Sequence, residues 1–511
     1  MNFLDRPGVP LDMRSTTALL LVAAALQAHA ATYHVTVNGD DGHSGLTIAQ
    51  AFRTIQHGAD VAVAGDSVLV HAGSYTGFAA MDHSGTTTAP IVFLAVGDGV
   101  AIDEPCDYNG QDGINVENVN WVVIEGFVIT AMPRAGIRSA LSDHVTIARN
   151  TCMNNGRWGI FTGFAEHVLI EHNTCSGSVD EHGIYVSNSA DHPIIRYNHL
   201  FDNNANGVHM NGDESQGGDG LISDAQVYGN IIHGNGVAGG SGINCDGVIN
   251  SVIHDNLLYG NHASGISLYM IDGGGPSTGN KVFNNTIINA ADARWCINIT
   301  GGCTGNQVLN NILINQHPWR GSITIASDAW SGFVSDHNLV VNSFSPDDDQ
   351  AITLAAWQAL GQDQHSQIAA PMNALFADAA NGDLHAASAT AQQVDAGTSA
   401  VAAVTTQDFE GTPRPQGAGY DIGCYERSGS VGVLEGKTPG RTTAFCSGGL
   451  VHVSDGRTGD LLVFTDASGR RLASQVLSGG GTSVPAPDGV FFLTLFRRSE
   501  VVSTVRLVNV R

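Results

Sequence analysis

The chain has 511 residues and a formal net charge of −26, from 48 acidic against 22 basic side chains. So acidic a balance argues against nucleic acid and anionic membrane as partners, since both are bound through clustered Lys and Arg. With 63 glycines, 7 % aromatic and 14 % charged residues, the composition suits tightly wound coils of small residues rather than helices, and the length admits a large core and more than one domain.

Residues 13–30 read as a secretory signal peptide: Arg14, an apolar run from Ala18 to Leu26, then Ala28-His29-Ala30 as a small-residue cleavage site, with Met13 an alternative start. The run is too short to span a bilayer and no later segment qualifies, so an exported, soluble protein with no membrane span is expected. Residues 31–118 are expected to form an N-terminal cap and the first coils. A strand at 33–37 leads into an acidic loop with Asp40 and Asp41, then into an amphipathic helix over 48–63 carrying Phe52, Ile55, Ala59 and Val63 on one face. A helix there would cover the open end of a solenoid, which otherwise exposes core and unpaired strand edges.

Residues 119–342 carry a repeat. An alternating apolar strand ends in Asn at Asn150, Asn173, Asn198, Asn230, Asn256, Asn285, Asn311 and Asn338, at intervals of 23 to 32 residues. A second strand opens on Gly136-Ile137, Gly159-Ile160, Gly183-Ile184, Gly207-Val208, Gly242-Ile243 and Gly265-Ile266, then on Cys296-Ile297 and Ser322-Ile323. Two-residue alternation broken at Gly and Asn indicates coils of strands, each able to bury its apolar face only by stacking on the next. Coils stacked ~4.8 Å apart turn each repeat position into a column. The Asn column is expected to take the left-handed backbone of a tight turn and to bond amide to amide along the stack. The pattern resembles the right-handed parallel β-helix of the pectate-lyase-like superfamily. That resemblance implies an all-β solenoid with an N-terminal capping helix, in a class of mostly secreted polysaccharide lyases, glycoside hydrolases, epimerases and phage tailspikes.

Residues 343–428 are expected to hold the last coils, a short helix over 351–360 with Trp357, and a loop-rich covering tail. The tail's end, Asp421-Ile422-Gly423-Cys424-Tyr425-Glu426, resembles the closing segment of such domains. After a Gly/Ser linker at 428–432, residues 429–511 read as a small β-sandwich module. The phrases Thr465-Asp466-Ala467-Ser468-Gly469-Arg470 and Pro487-Asp488-Gly489-Val490-Phe491-Phe492 resemble the C-terminal sorting domain of type IX secretion, with Phe491 where Tyr is usual. This resemblance implies secretion machinery as a partner and a location outside, or on the surface of, a Gram-negative cell. An immunoglobulin-like carbohydrate-binding or spacer domain is the alternative.

Eight cysteines in an exported chain could pair. Cys152 and Cys175 each stand two residues after a ladder Asn, which suits a bridge or stacked thiols equally. Cys296 and Cys303 flank a Gly-rich turn and could close a small loop. No interval is of zinc type.

In the second strand the Ile or Val points inward, so the residue after it faces out. This outward column reads Arg138, Phe161, Tyr185, His209, Asn244, Ser267, Asn298 and Thr324, and two residues on the middle coils present Ser187, Asn211, Asp246 and Tyr269. Aromatics with amides and carboxylates are what sugar rings need, apolar faces for C–H patches and polar groups for hydroxyls. Loops entering this face add Arg157-Trp158, Glu181-His182, His262, Arg294-Trp295 and Trp319-Arg320. The widest Asn interval, between Asn198 and Asn230, inserts a loop with Asp213, Glu214, Asp219 and Asp224. Asp213, Asp219 and Asp246 are the candidate ligands for calcium, although acids in Gly-rich loops are also ordinary turn formers. His144, His167 and His192 share one repeat position and read as a stacked turn column.

A polysaccharide lyase removes the proton beside a uronate carboxylate, which must be neutralised by calcium or Arg while a base takes the proton. His209, Asp246, Tyr269 and Arg294 are the candidate catalytic residues, with Arg138, Tyr185, Asn211, Asn244 and Trp295 binding substrate. Similar lyases commonly use Lys or Arg as base, but the only lysines are Lys281 and Lys437, neither on the column, so His209 takes that part. A monomer acting on an acidic polysaccharide is expected. A glycoside hydrolase would instead pair Asp246 with Asp213 or Asp219, and a glycan-binding or adhesin solenoid would need no catalytic group.

Overall fold

The computed structural model describes residues 30–347, 350–379 and 382–427, and strand segments between 444 and 509. The signal peptide expected at 13–30 lies, but for Ala30, outside the described residues, as do all of the 465–470 phrase except Thr465 and the opening of the 487–492 phrase. Met1–Gly429 forms one compact unit and Ser430–Arg511 another.

The first unit is a β-helix built on three long parallel sheets of twelve, eleven and twelve strands. Most strands are three to six residues long, as in Ile194–Arg196 and Ser241–Asp246, and neighbours in a sheet come from successive coils in register. Every second residue points inward, so Ile147, Ile170, Ile195, Val227, Ile253, Val282 and Val308 form one fully buried stack inside the coil.

The Asn column is a continuous hydrogen-bonded ladder. Each side-chain oxygen accepts both the backbone N–H and the Nδ2 of the Asn one coil earlier, from Asn150 on Asn173 (2.9 and 3.1 Å) to Asn311 on Asn338 (2.8 and 3.2 Å). Each Nδ2 also donates to the preceding coil, as Asn173 does to the Ile147 carbonyl at 2.8 Å. The expected left-handed backbone is not at the Asn but one residue before it, at Arg149, His172, Tyr197, Gly229, Asp255, Asn284, Asn310 and His337, with φ between 50° and 66°. None of these residues is β-branched, and the following Asn ties the turn's backbone down, as Asn230 Nδ2 does by donating to the Tyr228 carbonyl at 3.1 Å. A second buried ladder, Asn203 to Asn235 to Asn261, brackets the turn before the Gly-Ile strand.

The glycine of Gly-Ile has a steric cause. A Cβ at Gly159, Gly183, Gly207 or Gly242 would lie 2.6 to 2.9 Å from the next coil's carbonyl oxygen, closer than stacked coils allow. The recurrent histidines form a column of stacked rings, with centroids 4.5 Å apart between His144 and His167 and 4.8 Å between His167 and His192.

At the N-terminus the expected helix is broken into a 3₁₀ turn, Ile48–Gln50, and a shorter helix, Ile55–Val61. The Thr54 hydroxyl caps the second piece by accepting the His57 N–H. The segment between stays outside the helix and delivers Phe52 to the core, while Val63 lies beyond the helix and is exposed. The later helix is Leu354–Gln358, shorter than expected, and it buries Trp357 against Phe344 with centroids 4.9 Å apart. The covering tail is locked by Arg414, fully buried, which holds Asp255 of the coils at 2.8 Å and Glu426 of the tail at 3.0 Å. The seven cysteines whose side chains are described, Cys152, Cys175, Cys296 and Cys303 among them, are buried free thiols.

In the second unit, Ala444–Ser447, Leu450–Val453 and Thr482–Pro485 form one antiparallel sheet. Arg471–Val476, Leu461–Thr465, Gly489–Arg497 and Glu500–Asn509 form a second.

A candidate active site on the Gly-Ile sheet

The eleven-stranded sheet carries the outward column. Its register aligns Arg138, Phe161, Tyr185, His209, Asn244, Ser267, Asn298 and Thr324 as successive rungs. The companion column aligns Ser187, Asn211, Asp246 and Tyr269. What each rung offers depends on its partners.

The N-terminal rungs are occupied by one another. Arg138 donates to Asn115 Oδ1 at 2.6 Å and Glu117 Oε2 at 2.7 Å, and it lies three coils, or ~14 Å, from His209. It therefore does not join the middle site expected for it. Trp158, Phe161 and Tyr185 make an aromatic run, with Trp158–Phe161 centroids 4.6 Å apart and Phe161–Tyr185 5.5 Å apart. Trp158 Nε1 donates to Glu181 at 2.7 Å, and Arg157 covers the Trp158 ring while pairing with the same carboxylate.

In the middle coils the polar groups converge. The Tyr185 ring stacks on His209 at 4.9 Å, and Asn211 Nδ2 donates to the Tyr185 hydroxyl at 3.3 Å. His182 Nε2 lies 3.0 Å from His209 Nδ1. The Tyr269 hydroxyl lies 3.4 Å from His209 Nε2 and accepts from Asn244 Nδ2 at 2.8 Å. Burial drives the imidazoles neutral: His182 is pushed down to about 3, helped by the nearby Arg157 charge, and His209 falls well below the ordinary range, helped by His182. Burial and then the Asp246 charge raise the Tyr269 phenol, so it is protonated at neutral pH.

Beside Tyr269 an open depression of about 250 Å³ is lined by Asn244, Ser267, Ile271, Arg294, Asn298 and Thr300, among others. Arg294 is exposed and holds no carboxylate among the described residues. Arg134, Arg138, Arg149, Arg157 and Arg196 each hold one. In so acidic a chain, a guanidinium left unpaired at the rim of a depression is a ready partner for an anionic ligand.

Three expected assignments are corrected. Asp246 is fully buried, and its carboxylate accepts the backbone N–H groups of Ile271 (2.9 Å), Asp272 (2.8 Å) and Gly273 (3.1 Å). It anchors a turn, and with no exposed surface it does not reach a ligand in the depression. Asp213 and Asp219 serve their own loop, accepting from the Ser215 hydroxyl and the Leu221 N–H, and among the described residues their carboxylates do not come together with that of Asp246, so the three as placed do not fit a shared calcium ion. Trp295 is 7 % exposed and does not line the depression, so it provides no sugar platform there. Among the described residues two groups bring three metal-ligand atoms together, Asp143 with His144 and His167, and Asp336 with His337 and His365. In each the two imidazoles are stacked within 22° of parallel, so an ion in the plane of one ring would sit over the face of the other.

Two further residues belong to the site, His182 and Asn206. Both stand just before the Gly of the Gly-Ile phrase, and reading that position as a column (Trp158, His182, Asn206, Ser241, Ser264) shows the same mix of ring and amide.

A family model described as "Right handed beta helix region" matches residues 105–218. No curated protein sequence matches the chain. Among solved structures, pectate lyase Pel9A is similar in fold, with a TM-score of 0.53 at 16 % identity, covering 78 % of this chain and 96 % of that one. An alginate lyase from Paenibacillus sp. str. FPU-7 aligns at 18 % identity with a TM-score of 0.41, over 54 % of this chain and 95 % of that one. XylC in complex with xylose aligns at 11 % identity with a TM-score of 0.48, over 78 % and 98 %. The fold is thus the pectate-lyase-like right-handed parallel β-helix.

Proposed function

We propose that the chain is a polysaccharide lyase, or an epimerase of the same proton chemistry, acting on a uronate-containing polymer across the Gly-Ile sheet. The observation that carries this reading is that Arg294, without a carboxylate among the described residues, lines one depression with Tyr269 and Asn244, while His209 Nε2 lies 3.4 Å from the Tyr269 hydroxyl. Elimination beside a carboxylate needs a positive group on that carboxylate and a proton carrier at the neighbouring carbon. Arg294 supplies the first and the Tyr269–His209 pair the second. The half-buried rings of Phe161 and Tyr185 give neighbouring sugars a surface along the same face, with the buried Trp158 packed beneath Phe161. Pectate lyase Pel9A, of the same fold, is named for this kind of reaction. A hydrolase is less well served, because Asp246, the shared member of its expected carboxylate pairs, is fully buried and holds three backbone N–H groups. Export fits the reading: residues 13–30 read as a signal peptide, and 429–511 as a sorting or accessory module.

The test is incubation with pectate, alginate and neutral glycans. Ultraviolet absorbance from an unsaturated product on an acidic polymer is expected. Reducing ends without that absorbance would point to a hydrolase, and glycan retention without either product would point to a binding module.

A further inference from the structure

Resting on that reading of the groove, we infer that His182 fixes the hydrogen positions of the site so that His209 is a hydrogen-bond donor to Tyr269, and that Tyr269 is the residue exchanging a proton with the substrate.

The inference follows the donors along the chain of contacts. The backbone N–H of Asn206, which can only donate, meets His182 Nδ1 at 3.3 Å. The Asn206 side chain agrees: its Oδ1 accepts the Ser241 N–H at 2.5 Å, which turns its Nδ2 toward His182 Nδ1 at 3.2 Å. His182 Nδ1 is therefore an acceptor. A neutral imidazole has one donor and one acceptor nitrogen, so the His182 hydrogen is on Nε2. The Glu181 carboxylate, 3.6 Å from that nitrogen, favours the same placement.

His182 Nε2–H faces His209 Nδ1 at 3.0 Å, so His209 Nδ1 accepts and the His209 hydrogen is on Nε2. That atom lies 3.4 Å from the Tyr269 oxygen, which also receives Asn244 Nδ2 at 2.8 Å. His209 has no free lone pair for a base. Two donors instead converge on the Tyr269 oxygen and favour its phenolate, against the burial and the Asp246 charge that hold it protonated at neutral pH.

The proton step closes on one residue. In the small fraction of molecules whose Tyr269 hydroxyl has lost its proton to solvent, the phenolate takes the proton from the carbon beside the uronate carboxylate, its O–H bond forming as the C–H bond breaks. It then returns that proton to the departing glycosidic oxygen as the C–O bond breaks and the double bond forms, and the phenolate is regenerated. Arg294 holds the carboxylate throughout. The charged or titratable groups around Tyr269 are His209, Asp246, Asp272, Cys245 and Arg294. The carboxylates oppose ionisation, so the rate should climb toward alkaline pH with no inflection near the ordinary histidine range.

Two measurements on the full chain test this. With ¹⁵N-histidine labelling, NMR should show the His209 hydrogen on Nε2, and His182→Phe should redistribute it toward Nδ1 in folded protein. A His209 hydrogen on Nδ1 in the unaltered protein would overturn the inference whether or not any polymer is cleaved. In the product assay, Tyr269→Phe should cost at least about 10³-fold, whereas His209→Gln, which keeps an N–H donor but cannot act as base, should cost about tenfold. Equal losses for the two variants would return the base to His209. No turnover on any polymer, with the Nε2 placement observed, would leave the hydrogen placement standing and sink the lyase reading and the Tyr269 step with it.

Discussion

At Asp246 one carboxylate holds a turn that three residues of the next coil make. Removing it leaves the N–H groups of Ile271, Asp272 and Gly273 without their acceptor in a dry place, and the turn follows directly on Tyr269. Asp246→Ala is therefore expected to lower unfolding free energy by about 3 kcal/mol, measured by denaturant titration, and to weaken activity through loss of folded protein. Unchanged stability with lost activity would restore Asp246 to a catalytic role. The sequence shows an acid on the outward column but not its acceptor duty, because the donors lie 25 to 27 residues further on in a turn whose path no alternation records. Arg294 shows the same limit from the other side: its position was legible, but its lack of a carboxylate partner is a property of the assembled surface. His182 is legible as a loop residue entering the face but not as a partner of His209, because the glycine after it interrupts the two-residue alternation and takes it off the columns that alternation defines.

At the scale of the coil, the Asn ladder joins elements that are close in space and 23 to 32 residues apart in sequence. Asn230 accepts from the Asn198 N–H and Nδ2, and donates to the Ile195 carbonyl and to Asn256. Asn230→Ala strands all of these in a buried column, and a loss of roughly 3 kcal/mol or more is expected. Activity per folded molecule should stay near that of the unaltered protein, since this ladder runs along a different edge of the coil from the Tyr269 depression. Specific activity falling much further than the folded fraction would contradict that separation. This ladder and the strand register could be read in advance because both depend on residue identity repeating at a fixed place in each coil. The left-handed residue before each Asn could not, because Arg149, His172, Tyr197 and Asp255 have no side-chain chemistry in common. The N-terminal helix was overextended for a related reason: Phe52 fits an apolar helical face by spacing, yet the cap at Thr54 starts the helix after it.

Across the whole solenoid, the covering tail is part of the fold's closure. Arg414 links Asp255, beside the Asn256 rung, to Glu426 at the tail's end, all of them buried. Arg414→Ala leaves two buried carboxylates facing one another without a cation, and a loss of about 3–5 kcal/mol is expected, seen as early loosening of residues 395–427 in hydrogen exchange. Exchange unaltered there would show the tail held by its apolar contacts alone. The net charge of −26 works against holding a polyanion anywhere on this surface except where a cation stands unpaired. Among the described residues Lys281 and Arg320 also hold no carboxylate, but Arg294 is the cation that lines the depression with Tyr269, and the weight of the functional reading lies there. Its most direct test is the initial rate of unsaturated-product formation on pectate and alginate, compared between the unaltered protein and folded Arg294→Ala. The expected result is product from at least one uronate polymer, with a loss of about 10²–10³-fold in the variant. Equal rates in the two proteins would contradict the account.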